Sequence, residues 1–226
     1  GWIIEFKKAR IVIDPWLIGD LIFPPGGWFF KGTLKDEIPT PENIDLILLT
    51  QGLPDHCHVP SLKKFPKKTN IICSKSASNI LDELNFESIQ IMQPGENLKF
   101  REIEIEATSG AAVPQIENGY ILETNDGGFY IEPHGFLDNK IKPRKLDAVI
   151  TPTKNLGLPV VGPFVKGADV IPDLVKLFNP SYIISSTIGG DAKFSGILNS
   201  FISLEEYKKT LDCKILDLEQ MQSVVI

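Results

Sequence analysis

Asp55, His56, Cys57 and His58 stand in a row at the end of the run Ile47-Leu48-Leu49-Thr50-Gln51-Gly52-Leu53-Pro54. An apolar strand that delivers a carboxylate, two imidazoles and a thiol offers hard, borderline and soft metal donors within four positions. Asp55 and His56 also form an acid-base pair without any metal. His56 and His58, two apart, would share a face on a regular strand, but after Pro54 a turn leaves their directions open. The third histidine, His134, lies in Glu132-Pro133-His134-Gly135. There a Glu ends the apolar run Phe129-Tyr130-Ile131 and is costly if buried unpaired.

Each of these residues has a plainer reading. Asp55 can cap the helix that follows, because Asp before a first turn satisfies free amides. His56 can be an interior histidine donating to a backbone carbonyl, His58 an exposed one beside Pro60, and Glu132-Pro133-His134-Gly135 only a turn. Cys57 as a nucleophile needs a base from elsewhere, since adjacent side chains rarely meet. Gly189-Gly190-Asp191 lacks the Lys-Ser/Thr of a phosphate loop and reads as a tight turn. Lys63, Lys64, Lys67 and Lys68 read as a solvated helix face.

The elements that must position these groups alternate. Trp2 to Phe6 and Arg10 to Ile13 read as a hairpin ended by Asp14-Pro15. Trp16 to Lys31 has no clean period and reads as an aromatic loop packed on the core. Strands at Ile44 to Leu49, Thr69 to Cys73 and Ile89 to Met92 alternate with helices at Pro60 to Phe65 and Ser76 to Leu84, the pattern of a parallel sheet. Leu98 to Phe100, Ile103 to Thr108, Gly119 to Glu123 and Phe129 to Glu132 then read as antiparallel strands, the last pair joined by the turn Asn125-Asp126-Gly127-Gly128. The last third returns to strand Ala148 to Thr151, helix Asp169 to Phe178 and strand Tyr182 to Ser186. A helix is expected to open at Ser203, with Glu206 completing a capping box. Strands Ile215 to Leu218 and Ser223 to Ile226 are expected to close the sheet. No hinge-like linker divides the chain, so residues 1–226 read as one domain.

The 226 residues carry a formal charge of −6 with 42% hydrophobic residues, enough apolar material for a core and too acidic a balance for a general phosphate-backbone binder. Three dispersed cysteines give no disulfide framework and point to a reducing compartment, hence the cytoplasm. No apolar run approaches the roughly 20 residues of a membrane span. The expected partner is a small molecule, not nucleic acid or membrane. The start at Gly1 suggests processing, and a removed transit peptide would make the plastid stroma the location.

Asp14-Pro15-Trp16-Leu17 after the early hairpin, followed by Leu48-Leu49-Thr50-x-x-x-x-Asp55-His56, resembles the metallo-β-lactamase-fold hydrolases, whose signature is Thr-His-x-His-x-Asp-His behind an apolar strand. The likeness extends to Ile103 to Thr108 before the third-histidine loop, to the Phe129 to Glu132 strand where a bridging carboxylate is expected, and to Asp147 to Pro152. It is closest to a divergent branch with Thr-Gln-Gly in the motif, associated with photosynthetic organisms. The resemblance implies an α+β fold, a four-layer αββα sandwich. It also implies metal ions, commonly zinc, that activate water against an ester, amide, thioester or phosphodiester.

Only Asp55 and His56 carry over from the signature. Gln51 and Leu53 stand where its first two histidines would be, and Thr108-Ser109-Gly110-Ala111 holds no third. The last histidine is replaced near Ser186-Thr187-Ile188-Gly189-Gly190-Asp191. The resemblance therefore implies a rearranged or single-metal site holding one zinc, iron or manganese ion, or none. Its opening is expected to be lined by Asp14, Asp55, His56, Glu132 and His134. Asp55, His56, His58, Glu132 and His134 are the candidate donors, with Asp55 and His56 catalytic and Asp191 a further carboxylate. The rival expectations are a metal-free binding or interaction module and a metal-free enzyme that uses Asp55 and His56 as acid and base.

Overall fold

The computed structural model describes residues 1–111, 117–158, 162–187, 192–207 and 213–226. They fall into two compact units, one made of residues 1–93, 114–118 and 192–200, the other of 94–113, 119–191 and 201–226.

Unit 1 is built on a five-stranded sheet. β1 (Trp2–Phe6) and β2 (Ala9–Ile13) form the expected hairpin, and β5 (Leu46–Leu49), β6 (Asn70–Cys73) and β7 (Ile89–Ile91) add to β2 in parallel. All four residues of β5 are buried, which is why its sequence is continuously apolar rather than alternating. Two short helices, α1 (Val59–Leu62) and α2 (Lys75–Leu81), supply the crossovers, and Leu62, Ala77 and Leu81 pack with Ile47, Leu49 and Ile71 in the core of this unit. The Ser74 hydroxyl accepts from the Ala77 amide and caps α2.

The segment Trp16 to Lys31 is not a loop throughout. It contains β3 (Asp20–Phe23) and enters β4 (Phe30–Leu34); with β16 (Ala192–Ser195) from far along the chain they make a three-stranded antiparallel sheet. The alternating pattern is masked because β4 pairs on both sides and packs through rings: Phe23 on Phe30 at 5.1 Å and Phe30 stacked on Phe194 at 5.5 Å.

Unit 2 holds a seven-stranded sheet and a small three-stranded one. β8 (Asn97–Phe100), β9 (Ile103–Ser109), β10 (Asn118–Thr124) and β11 (Gly127–Ile131) form the expected meander. β12 (Ala148–Thr151), β15 (Tyr182–Ser185) and β18 (Lys214–Leu216) continue the sheet in parallel from β11. The helix α3 (Gly167–Phe178) buries Ile171, Leu174 and Phe178, one stripe at helical spacing, and Asn179 closes it in the left-handed conformation (φ 41°). Tyr130 and Phe178, ring centroids 5.0 Å apart, join sheet and helix.

Two sequence expectations fail in this unit. Ser203–Glu206 is the strand β17, paired with β13 (Lys154–Leu158), which in turn pairs with β14 (Gly162–Lys166). The Leu204 to Leu156 register and a Lys154–Glu206 ion pair at 2.8 Å outweigh the local capping pattern. Ser223 to Ile226 forms no strand. No helix among the described residues is long and apolar enough to cross a membrane.

Candidate functional site

β2 and β5 run in parallel and end side by side, so the residues that follow, Asp14 and Thr50, emerge together at the carboxyl edge of the sheet, where parallel sheets place their ligands. Asp14 is buried and adopts a left-handed backbone (φ 45°), uncommon for a residue other than glycine. It is held by its own amide, which donates to the Leu48 carbonyl at 3.1 Å. Its carboxylate takes the Thr50 amide at 2.9 Å and the Thr50 hydroxyl at 2.6 Å.

The same carboxylate reaches His56. Asp14 Oδ2 lies 2.9 Å from His56 Nδ1, and on the other side of the ring Nε2 is 3.2 Å from Asp55 Oδ2. The turn that presents the ring is closed by the His56 and Cys57 amides on the Leu53 carbonyl, at 3.0 and 2.7 Å. Gly52 seats this turn on α2: its amide donates to Ser76 Oγ at 3.1 Å, and a Cβ there would stand 2.6 Å from the Ser76 carbonyl oxygen. His56 is only 5% exposed. Burial alone drives its imidazolium toward the neutral form, but the charges and hydrogen bonds of Asp55 and Asp14 prevail and hold its pKa well above the usual histidine value.

Asp55 is not a helix cap. The N-cap position of α1 is His58, three residues on, and Asp55 instead faces the His56 ring. His56, for its part, is interior as one reading held, but its partners are carboxylates rather than a backbone carbonyl.

His58 departs from both expectations placed on it. It is 4% exposed, not on the surface. Its Nε2 contacts the Asp20 carbonyl at 3.3 Å and its Nδ1 the Ser61 hydroxyl at 2.8 Å, while that hydroxyl accepts the Leu17 amide at 2.8 Å. Since a carbonyl only accepts, Nε2 carries the proton and Nδ1 accepts from Ser61. Both ring nitrogens are spent on tying the Trp16 region to α1, which takes His58 out of the donor set. Burial lowers its pKa, with the Asp20 hydrogen bond opposing. Cys57 is 2% exposed, and burial pushes its thiol up to about 12, which works against a role as nucleophile.

Unit 2 supplies Glu132 and His134. Glu132 is fully buried at the end of β11, and its Oε2 accepts the amides of His134 at 3.2 Å and Phe136 at 2.6 Å. The turn is pinned twice more, by the Thr187 hydroxyl on the Pro133 carbonyl at 2.6 Å and by the Lys166 amide on the His134 carbonyl at 2.9 Å. Gly135 (φ 72°) is required there, because a Cβ would lie 2.4 Å from the Gly167 nitrogen. A Glu132 carboxylate oxygen and a His134 ring nitrogen lie within 4.8 Å of each other. Glu132-Pro133-His134-Gly135 is thus a turn built to present two potential donors. Asp191, with Gly189 and Gly190, lies outside the described residues.

Sequence reasoning missed Glu117. It is a fully buried carboxylate of unit 1, and the next residue, Asn118, donates its amide to the Thr50 carbonyl at 3.0 Å and its Nδ2 to the Met92 carbonyl at 2.8 Å.

A histidine whose Nδ1 is fixed by a buried carboxylate, leaving Nε2 beside a second carboxylate, is the arrangement that orients metal-binding imidazoles. Asp55 and His56 therefore fit one divalent ion. Only three histidines, His56, His58 and His134, occur in the whole chain, too few for a histidine-rich dinuclear set.

The beta-lactamase superfamily domain model matches residues 1–186. No curated protein matches the sequence significantly. Among solved structures, the chain is similar to an isothiocyanate hydrolase from Delia radicum gut bacteria (16% identity, 82% of this chain and 80% of that one, TM-score 0.64). It is also similar to a possible metal-dependent hydrolase from Veillonella parvula (16%, 81% and 80%, 0.59). A third is CmlA, a diiron beta-hydroxylase from Streptomyces venezuelae (14%, 84% and 43%, 0.57). At such identities these likenesses establish the α+β metallo-β-lactamase fold expected from the sequence. With the family model covering most of the chain, the protein belongs to the beta-lactamase superfamily and has the metallo-β-lactamase fold.

Proposed function

We propose that the protein is a metal-dependent hydrolase with a reduced centre, acting on a small-molecule ester, thioester, lactone or phosphodiester. Asp55 and His56 hold a single zinc, iron or manganese ion. The observation that carries this reading is the Asp14–His56–Asp55 alignment, in which Asp14 fixes the ring through Nδ1 so that Nε2 and the Asp55 carboxylate face one another. A divalent ion supplies a lowered water pKa and polarisation of the electrophile. The chain's own residues do the rest: the Thr50 hydroxyl and amide orient Asp14, Asp14 fixes the His56 tautomer, and Asp55 is placed as donor or base. Glu132 and His134 remain candidate donors of unit 2 by themselves, and their substitution is a separate test. Turnover of a panel of esters, lactones, thioesters and phosphodiesters, abolished by chelation and by Asp55→Ala, is the expected result; chelator-insensitive turnover would reject it.

A second reading is favoured by Gln51 and Leu53 standing where the resemblance expects histidines and by the absence of a histidine from Thr108-Ser109-Gly110-Ala111. In it the protein is a metal-free binding module, and a protonated His56 between Asp14 and Asp55 takes the place of the cation. A fully folded protein whose thermal midpoint does not respond to added metal would select it.

A further inference from the structure

We infer that the hairpin of β3 and β4, with the end of β16 beside it, is a docking surface for an anionic lipid bilayer, a role independent of the metal reading. Four exposed large apolar side chains of unit 1, Ile22, Trp28, Phe194 and Ile197, belong to this one small sheet and the turns at its end. Trp28 is 63% exposed and Ile197 57%. Exposed apolar groups gathered in this way mark an interaction surface rather than a core.

The tip is built to present them. The Gly26 amide donates to the Phe23 carbonyl and the Phe29 amide to the Gly26 carbonyl, both at 2.9 Å, which closes the turn from Pro24 to Phe29. Beyond β16, the amides of Ile197 and Leu198 donate to the carbonyls of Trp28 and Phe29 at 3.1 and 3.0 Å, so Trp28 and Ile197 stand on adjoining backbone. Register then sorts the two faces of the sheet. Phe23 pairs with Phe30 and Phe194 with Gly32, which puts three rings on one face, stacked at 5.1 and 5.5 Å. Ile22 and Ser195 pair with Lys31, and Asp20 and Lys193 with Thr33, which puts both lysines on the other face with Ile22. Lys193 lies two residues, about 7 Å, farther from the tip than the level of Lys31. Apolar groups lead and cations follow, the order in which an interfacial segment meets acyl chains and then headgroups.

Charge selects the occupant. The chain has 29 acidic residues among 226, yet none falls within 21–35 or 192–200, the segments that carry Lys31, Lys35 and Lys193. Asp20, paired with Lys31 at 3.1 Å, begins β3, and Asp36 and Glu37 follow β4, all at the end of the strands opposite the tip. An exposed tryptophan and phenylalanine with lysines behind them, cleared of carboxylates, complement a negatively charged headgroup layer. That no helix among the described residues is long and apolar enough to cross a bilayer bears on spanning one, not on resting against its surface.

The test is flotation of the full chain with vesicles of phosphatidylcholine and phosphatidylglycerol in equal parts, and with vesicles of phosphatidylcholine alone. Binding is expected to the mixed vesicles, weakening as salt is added, and markedly less to the neutral ones. Trp28→Ser, with circular dichroism matching the parent, should lower the affinity more than about tenfold, and Lys193→Gln about fivefold. Should Trp28→Ser fail to fold, Ile197→Ser decides in its place. No binding to the mixed vesicles would overturn the proposal, as would parental affinity in the serine variant or equal binding to neutral vesicles. Self-association that Trp28→Ser abolishes, with vesicles left unbound, would overturn it in favour of a second copy of the chain.

Discussion

Asp14 Oδ2 and His56 Nδ1, 42 positions apart in sequence, lie 2.9 Å from each other in a buried setting. The pair exists because two parallel strands end side by side and hand their next residues to a common edge. Asp14→Asn keeps the shape but replaces an acceptor-only carboxylate with an amide, which loosens the ring. Metal affinity is expected to fall about 10- to 100-fold, the usual effect of losing a carboxylate behind a metal-binding histidine. Asp14→Ala should in addition cost about 1–3 kcal/mol in the metal-free protein by stranding the Thr50 amide and hydroxyl and His56 Nδ1. Isothermal titration with Mn2+ or Zn2+ and urea denaturation measure the two effects.

His58 separates a structural histidine from a metal donor. With both nitrogens engaged by Ser61 and Asp20, His58→Ala is expected to leave metal stoichiometry unchanged. It should lower stability by about 1–3 kcal/mol, the cost of stranding buried hydrogen-bonding groups. Lost metal with unchanged stability would contradict the assignment.

The raised pKa of His56 makes the metal-free protein sensitive to pH. A group whose folded pKa lies above its unfolded value, about 6.5 for histidine, contributes stability that is fully present below that value. This contribution is lost as pH rises through the folded value. Denaturation midpoints of the stripped protein should therefore decline above neutrality, and His56→Asn should flatten the slope. Apparent metal affinity should rise over the same range, because binding must displace the proton.

Much of this was readable from the sequence. The run Ile47 to Leu49 marks a buried parallel strand, and the residues after it mark the site, because apolar runs and polar strand ends follow from burial at those same positions. The turn at Asn125-Asp126 was equally plain. Tertiary partners decided the rest. Ser203 to Glu206 has the local pattern of a helix start but pairs with β13. The hairpin of β3 and β4 lies hidden among aromatics because ring packing, rather than alternation, fills its face. His58 stands beside Pro60 with nothing local to show that Asp20 and Ser61 would enclose it.

Gly135 tests the presentation of Glu132 and His134. Its positive φ and the 2.4 Å approach of a would-be Cβ to the Gly167 nitrogen leave no room for a side chain. Gly135→Ala should destabilise the protein by about 1–3 kcal/mol or more, read as a lowered thermal midpoint. A midpoint equal to the parent's would show that the turn is not pinned as described.

The central claim is that Asp55 and His56 hold a metal. Elemental analysis of untagged protein after exhaustive dialysis, beside Asp55→Ala and His56→Ala, tests it most directly. The account predicts one equivalent of manganese, iron or zinc in the parent and loss of it in both variants, with circular dichroism preserved. A fully folded parent free of metal, or variants that retain it at the parental level, would contradict the account.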